Sequence, residues 1–185
     1  MLQLTIGPTE IFNEETNKLI KVKGTTLQLE HSLISVSKWE EKWHKAFLGK
    51  DNKTAEETID YVRCMTLTQN VDPNVYYALT PEDFKAISAY IEDSHTATWF
   101  SEDRQKGRPN RETITSELIY CWMVQLNIPI DPFQKWHLNR LMTLIKVINI
   151  KNTPPKKMSR AEQARAARNR TALNEARRAQ MGSKG

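Results

Sequence analysis

Thr25-Thr26-Leu27-Gln28-Leu29, followed a little further on by Ser37-Lys38-Trp39-Glu40 with Trp43, Ala46 and Phe47, decides the fold class. Apolar residues alternate with polar ones in the first run, the period of a half-buried strand. In the second they recur at the three-to-four spacing of a helix. The chain changes period near residue 30, which predicts an α+β protein, mostly helical, with its strands gathered at the N-terminus.

Working upstream, Leu2-Gln3-Leu4-Thr5-Ile6 alternates in the same way and ends at the turn residues Gly7-Pro8. Glu10-Ile11-Phe12 and Lys18-Leu19-Ile20-Lys21-Val22 flank a polar turn from Asn13 to Asn17. These runs predict a small antiparallel β-meander over residues 1–30 with one buried face.

Downstream, helix starts are marked by side chains that can satisfy free first-turn amides. Ser37 with Glu40 opens one helix. Thr54 with Glu57 opens a second, bearing Ile59, Val62 and Met65, and Thr80 before Pro81 opens a third, bearing Phe84, Ile87 and Ile91. Asp93 to Arg111 is the longest irregular segment of the body. Ile114, Leu118, Cys121, Trp122 and Leu126 then mark an apolar helix that stops at Asn127-Ile128-Pro129. Asp131, Pro132 and Gln134 read as the cap of a long helix with Trp136, Leu141, Leu144, Ile145 and Ile148, with proline at its first position. These last two helices are expected to form a hairpin at the centre of a helical core spanning 37–150.

Pro154-Pro155 interrupts that pattern, since proline donates no amide hydrogen and restrains the residue before it. Residues 151–158 therefore read as a Pro/Lys linker between a body, 1–150, and a basic Ala/Arg-rich helical arm, 159–182. Ser159 with Glu162 caps the arm, whose only large apolar residues are Leu173 and Met181. The arm has helix propensity and almost nothing to bury, so it is expected to stay detached from the core.

Charge follows the same division. The net charge of the 185 residues is +5, yet Lys151 to Gly185 carries ten Lys and Arg against Glu162 and Glu175, a net +8, which leaves residues 1–150 at −3. Attraction to an anionic partner belongs to the arm.

The two cysteines, Cys64 and Cys121, lack the spacing with histidine of a zinc or redox site and read as reduced core thiols. Met1 to Ile6 has no basic lead-in and reads as a strand, not a secretion signal. Leu118 to Ile130 is too short and too interrupted to span a bilayer, so no membrane partner is expected.

No phosphate-binding glycine loop, nucleophile elbow or metalloprotease helix is present in the sequence. The acidic pairs Glu40-Glu41, Glu56-Glu57, Glu82-Asp83, Glu92-Asp93 and Glu102-Asp103 read as solvated acids, three of them placed to favour a helix dipole. His31, His44, His95 and His137 are scattered, and the repeated Lys-Trp-His of 42–44 and 135–137 reads as packing at a helix rim. The sequence thus points to no catalytic residue, metal or cofactor. Two binding candidates remain. Trp99-Phe100, in the irregular segment, is a candidate loop contact. Lys156, Lys157, Arg160, Arg165, Arg168, Arg170, Arg177 and Arg178 are candidates for electrostatic partner binding. Nucleic acid is the weaker of their partners, because no aromatic residue follows Trp136 to stack on bases. A membrane-surface helix would want Trp, Phe or several Leu opposite the charge.

Leu27 to Leu33 leading into Ser37-Lys38-Trp39-Glu40, Thr58 to Leu67, Gln134-Lys135-Trp136-His137-Leu138-Asn139-Arg140-Leu141 and Pro154 to Arg160 resemble proteins of long-tailed, siphovirus-type bacteriophages, especially those infecting actinobacteria. The likeness covers nearly the whole chain and is to the tail assembly chaperones. It implies a non-enzymatic protein of the host bacterial cytoplasm that holds the tape-measure protein soluble, helps recruit tail-tube subunits and is absent from the mature virion. A structural component of the virion is the alternative, and a nucleic-acid-binding protein acting through the arm is the second. The family supplies no catalytic residues to carry over.

Overall fold

The computed structural model describes residues 1–13, 17–100, 113–153, 160–180 and 182. It is α+β and mostly helical, and the chain divides into two compact units, Met1–Asn149 and Ile150–Gly185. Four strands, β1 (Leu2–Ile6), β2 (Thr9–Asn13), β3 (Lys18–Val22) and β4 (Thr25–Leu29), are followed by the helices α1 (Leu33–Trp43), α2 (Ala55–Met65) and α3 (Pro81–Glu92). Then come α4 (Ser116–Gln125), the single turn α5 (Ile130–Phe133), α6 (Leu138–Asn152) and α7 (Arg160–Gln180), with a 3-10 turn at Pro73–Ala78 between α2 and α3.

The strands fall where alternation predicts them, but their pairing is nested and not that of a meander. β1 pairs with β4 and β2 with β3, both antiparallel. Leu2 opposes Leu29 and Ile6 opposes Thr25, and the inner ladder resumes in the same register with Thr9 opposite Val22. The element is one long hairpin broken where Gly7-Pro8 faces Lys23-Gly24. Pro8 cannot donate to a ladder, and its ring fills the space that a side chain at Gly24 would need. Alternation fixes the faces as read: Leu4, Ile6, Leu27 and Leu29 are buried, while Thr5 and Thr26 join hydroxyls across the outer face at 3.2 Å. The free edge of β4 is covered by the chain leaving α2, where the Glu30 N–H donates to the Met65 carbonyl at 2.9 Å and the Leu67 N–H to that of Gln28 at 2.8 Å.

Thr54 and Thr80 cap α2 and α3 as read, Thr54 in the reciprocal box with Glu57 that its spacing predicts and Thr80, before Pro81, in a further box with Asp83. α1 starts earlier than Ser37. Its cap is Ser32, boxed with Ser35, and it ends at Trp43 because His44 takes the left-handed conformation. The long helix α6 begins at Leu138, not at Pro132: after Pro132 the chain closes tight turns, Lys135 N–H to the Pro132 carbonyl and Trp136 N–H to that of Phe133, and His137 then bridges to Ser32, from which the helix starts anew. It runs to Asn152, two residues into the span read as linker; Pro154 to Lys157 and the Ser159 cap lie outside the described residues. α4 buries Ser116, Ile119 and Met123 and packs on α1, so the expected hairpin with α6 is not its main contact. Cys121 lies on the exposed side of α4 and is not a core thiol.

Two acids read as solvated are buried. Glu57, 2% exposed, takes the Thr54 N–H at 2.8 Å and an ion pair from Lys45. Glu40, 7% exposed, accepts from the Phe47 N–H at 2.8 Å and from the Ser116 N–H at 2.7 Å. It thus places a carboxylate of α1 against the electropositive first turn of α4. Lys42 and Trp43 of α1 both donate to Asp60 of α2, at 2.5 and 2.9 Å. The first Lys-Trp-His tripeptide is therefore an interhelical clasp.

Candidate functional site

Three histidines far apart in sequence meet in the body. His31 follows β4, His95 follows α3 and His137 precedes α6. The His31 and His137 rings lie 5.1 Å apart and those of His95 and His137 4.0 Å apart, centroid to centroid. Tyr90 stands edge-on to both His95 and His137 at 4.8 and 5.1 Å. On the buried side His31 shares a short hydrogen bond with the Tyr61 hydroxyl and packs near Phe47. On the open side lies a cleft of about 280 Å³ bordered by Glu30, Tyr90, His95, Trp136, His137 and Arg140.

Most polar groups here are already engaged. The Tyr90 hydroxyl donates to Glu30 at 2.8 Å, and the Met1 amino group lies 3.1 Å from the other oxygen of the same carboxylate. Arg140 stacks over Trp136 at 4.0 Å, and Lys135 pairs with Asp131 at 2.7 Å. His137 uses both nitrogens: Nδ1 accepts from the Asn139 N–H at 3.3 Å, which leaves the proton on Nε2 to be donated to the Tyr90 carbonyl at 3.1 Å. His95, in the left-handed conformation at φ 48°, keeps Nε2 buried without a partner.

Burial, followed by the neighbouring rings of His137 and His95, pushes His31 down to about 3. Burial also lowers His137, with His95 adding to the shift and the Tyr90 carbonyl and Glu30 opposing it. Burial first, and then the bond to Glu30, raises the Tyr90 phenol. All three aromatic groups are thereby held neutral near pH 7. Cys64 borders a second cavity, of about 160 Å³, between Ser35, Lys38 and Leu67. Burial, then Asp60, raises its thiol to about 11, which removes the thiolate that a nucleophile needs. Among the described residues, no group of three or more His, Cys, Asp or Glu is placed to hold a metal ion, and no helix is long and apolar enough to cross a membrane.

The two binding candidates belong to different units. Trp99 is 83% exposed, whereas the neighbouring Phe100 is partly covered, with Lys146 of α6 4.1 Å over its ring. In α7, every side chain from Gln163 to Arg178 is exposed, including Arg165, Arg168, Arg170, Arg177 and Arg178. Arg160 opens the helix, and Lys156 and Lys157 lie outside the described residues. At 3.6 residues per turn, Arg170, Arg177 and Arg178 fall on one side and Arg165 and Arg168 on nearly the opposite one. The arm offers charge in two directions and no single recognition face.

The histidine cluster escapes a linear reading because no spacing rule joins residues 31, 95 and 137. Its local signs are only that His31 ends a strand pattern and His137 stands at the start of a helix pattern. No protein-family model, curated protein or solved structure matches the chain.

Proposed function

We propose that the protein is a non-catalytic binding protein that assists assembly of a long bacteriophage tail, keeping the tape-measure chain soluble while tail-tube subunits are recruited. The observation that carries this reading is α7: a 21-residue helix whose described side chains are all exposed and whose arginines point to two sides. A helix with nothing of its own to bury gains stability chiefly from a partner. Cations on both sides suit an acidic or helical chain that can wrap it. The resemblance to tail assembly chaperones supplies the identity of that chain, and the engaged state of the histidine cleft favours binding over catalysis.

Co-expression with the tape-measure protein tests the reading by solubility and copurification. Full-length protein is expected to rescue the tape-measure protein, and chains with the arm deleted or its charge reversed to rescue it partly. If none of the three keeps it soluble or copurifies with it, the chaperone reading fails and the virion-component reading takes its place. Stoichiometric protein in purified particles by mass spectrometry leads to the same replacement.

A further inference from the structure

The start of α6 carries an unusual cap. The His137 carbonyl accepts the first helical bond, from the Leu141 N–H at 3.1 Å, while its side-chain Nδ1 accepts from the Asn139 N–H at 3.3 Å. These are the two roles of an N-cap residue, ordinarily filled by Ser, Thr, Asp or Asn. Histidine fills the second only while neutral, because a protonated Nδ1 is a donor with no lone pair to offer.

The same turn holds the end of α3. His137 Nε2 donates to the Tyr90 carbonyl at 3.1 Å, and Asn139 Nδ2 donates to the carbonyls of Ile91 and Asp93, both at 2.8 Å. Three carbonyls at the C-terminus of α3 thus find their partners in one turn of α6. Helix ends need such partners, and here one helix serves the other.

We propose that His137 is a proton-sensitive cap, and that its protonation uncaps α6 and releases the end of α3 with Asp93 to Phe100, ahead of unfolding of the body. Taking up a proton costs the Asn139 bond and sets a positive charge at the positive end of a helix dipole; the Nε2 bond to the Tyr90 carbonyl survives, so the end of α3 is released through loss of the turn that carries Asn139. The surroundings reinforce this. His31 faces His137 from the β4–α1 turn and His95 faces it from beyond α3, so protonating these rings together sets cations against one another. Arg140 and Lys135 flank the cleft from the α6 side and the Met1 amino group from β1. Against them stand the carboxylate of Glu30, itself bound by Tyr90 and Met1, and that of Asp93, which takes the His95 N–H at 3.0 Å. Tyr61 and Tyr90, facing from α2 and α3, stay neutral. The burial that lowers His137 is lost on opening, so the open form takes up the proton more readily.

Hydrogen exchange of the full chain from pH 7.5 to 5.0, corrected for intrinsic rates, tests the cap. Opening at the Asn139 and Asp93 amides is expected to rise by up to about tenfold per pH unit below the ordinary histidine range. Amides of the β1–β4 ladder should remain better protected throughout. His137→Asn keeps a capping oxygen but cannot titrate, and its opening should be flat over this range. His95→Asn tolerates the left-handed backbone and removes the neighbouring ring, so the pH response should weaken while the cap remains. The proposal is overturned if the cap and ladder amides open together at every pH, or if His137→Asn keeps the wild-type slope. Should His137→Asn fail to fold, an unaltered slope in His95→Asn overturns it equally.

Discussion

At the scale of single residues, a neutral histidine inside the body ties global stability to pH. His31 is 2% exposed, with Nδ1 on the Tyr61 hydroxyl and its carbonyl accepting the Leu138 N–H at 2.7 Å. Its folded value, near 3, lies below the ordinary 6.5, so the unfolded chain binds the proton more tightly. The stability this represents is fully present above pH 6.5 and falls as pH drops, at about 1.4 kcal/mol per unit for one proton, until the folded value is reached. Glu57 and Asp93 are held low, by Lys45 and by the His95 N–H first, and as carboxylates they add their own loss only below about pH 4. Urea unfolding between pH 6.5 and 4.5 is therefore expected to report the histidines, and His31→Gln to lower the slope by close to one proton. A variant slope equal to that of the wild type would show that His31 is solvated or paired when charged.

At the scale of elements, the broken hairpin makes its two glycines unequal. A Cβ on Gly24 would meet Pro8 Cδ at 3.2 Å, Pro8 N at 3.3 Å and the Ile6 carbonyl oxygen at 3.4 Å, whereas one on Gly7 meets nothing within 4 Å. Ring and backbone atoms yield little, so Gly24→Ala is expected to cost about 1 kcal/mol or more. Gly7→Ala should be neutral or slightly stabilising, by lowering the entropy of the unfolded chain. Equal melting temperatures for the two variants would mean that the Pro8–Gly24 contact relaxes freely. This element also shows what a sequence can specify. Alternation names the face of Leu27 and Leu29, because side-chain direction is a local property, but it does not name β1 as the partner of β4. The boxes at Thr54 and Thr80 are legible because cap and partner lie three residues apart, while Ser32 with Ser35 lacks the acidic partner that marks the others. Asp131-Pro132 does open a turn, with the extended backbone of a cap at Asp131, but the chain leaves it where His137 bridges to Ser32, a contact that no local spacing announces. α4 is apolar nearly all round, so the neighbour that buries Ile119 and Met123 is set by packing. The histidine cluster is less legible again, since it exists only once the β4–α1 turn, the end of α3 and the start of α6 have been brought together.

At the scale of the whole molecule, the two units differ in what holds them. The body buries Leu27, Leu29, Leu33, Trp39, Met65, Ile119, Met123, Leu138 and Leu141 almost completely, while α7 exposes every described side chain. A chain that stops at Thr153 keeps all of α6 and is expected to melt with the full-length protein. A fall of several degrees would show that the C-terminal unit contributes to the core. Replacing Arg165, Arg168, Arg177 and Arg178 by glutamate takes the net charge of residues 151–185 from +8 to zero. Glutamate is nearly as good a helix former as arginine, so helix content by circular dichroism should hold. What changes is the long-range field. Charged surfaces accelerate encounter with an oppositely charged partner far more than they strengthen the docked complex, and salt screens that effect over about 10 Å at 0.1 M. On the proposed function, association with an acidic tape-measure segment, followed by stopped-flow, is therefore expected to slow by about 10- to 100-fold at low ionic strength in the variant. The rates of variant and wild type should converge near 1 M salt, with dissociation changing much less. If the variant associates as fast as the wild type at low salt, the arm plays no part in capture, and any hold on the partner has to come from the body alone.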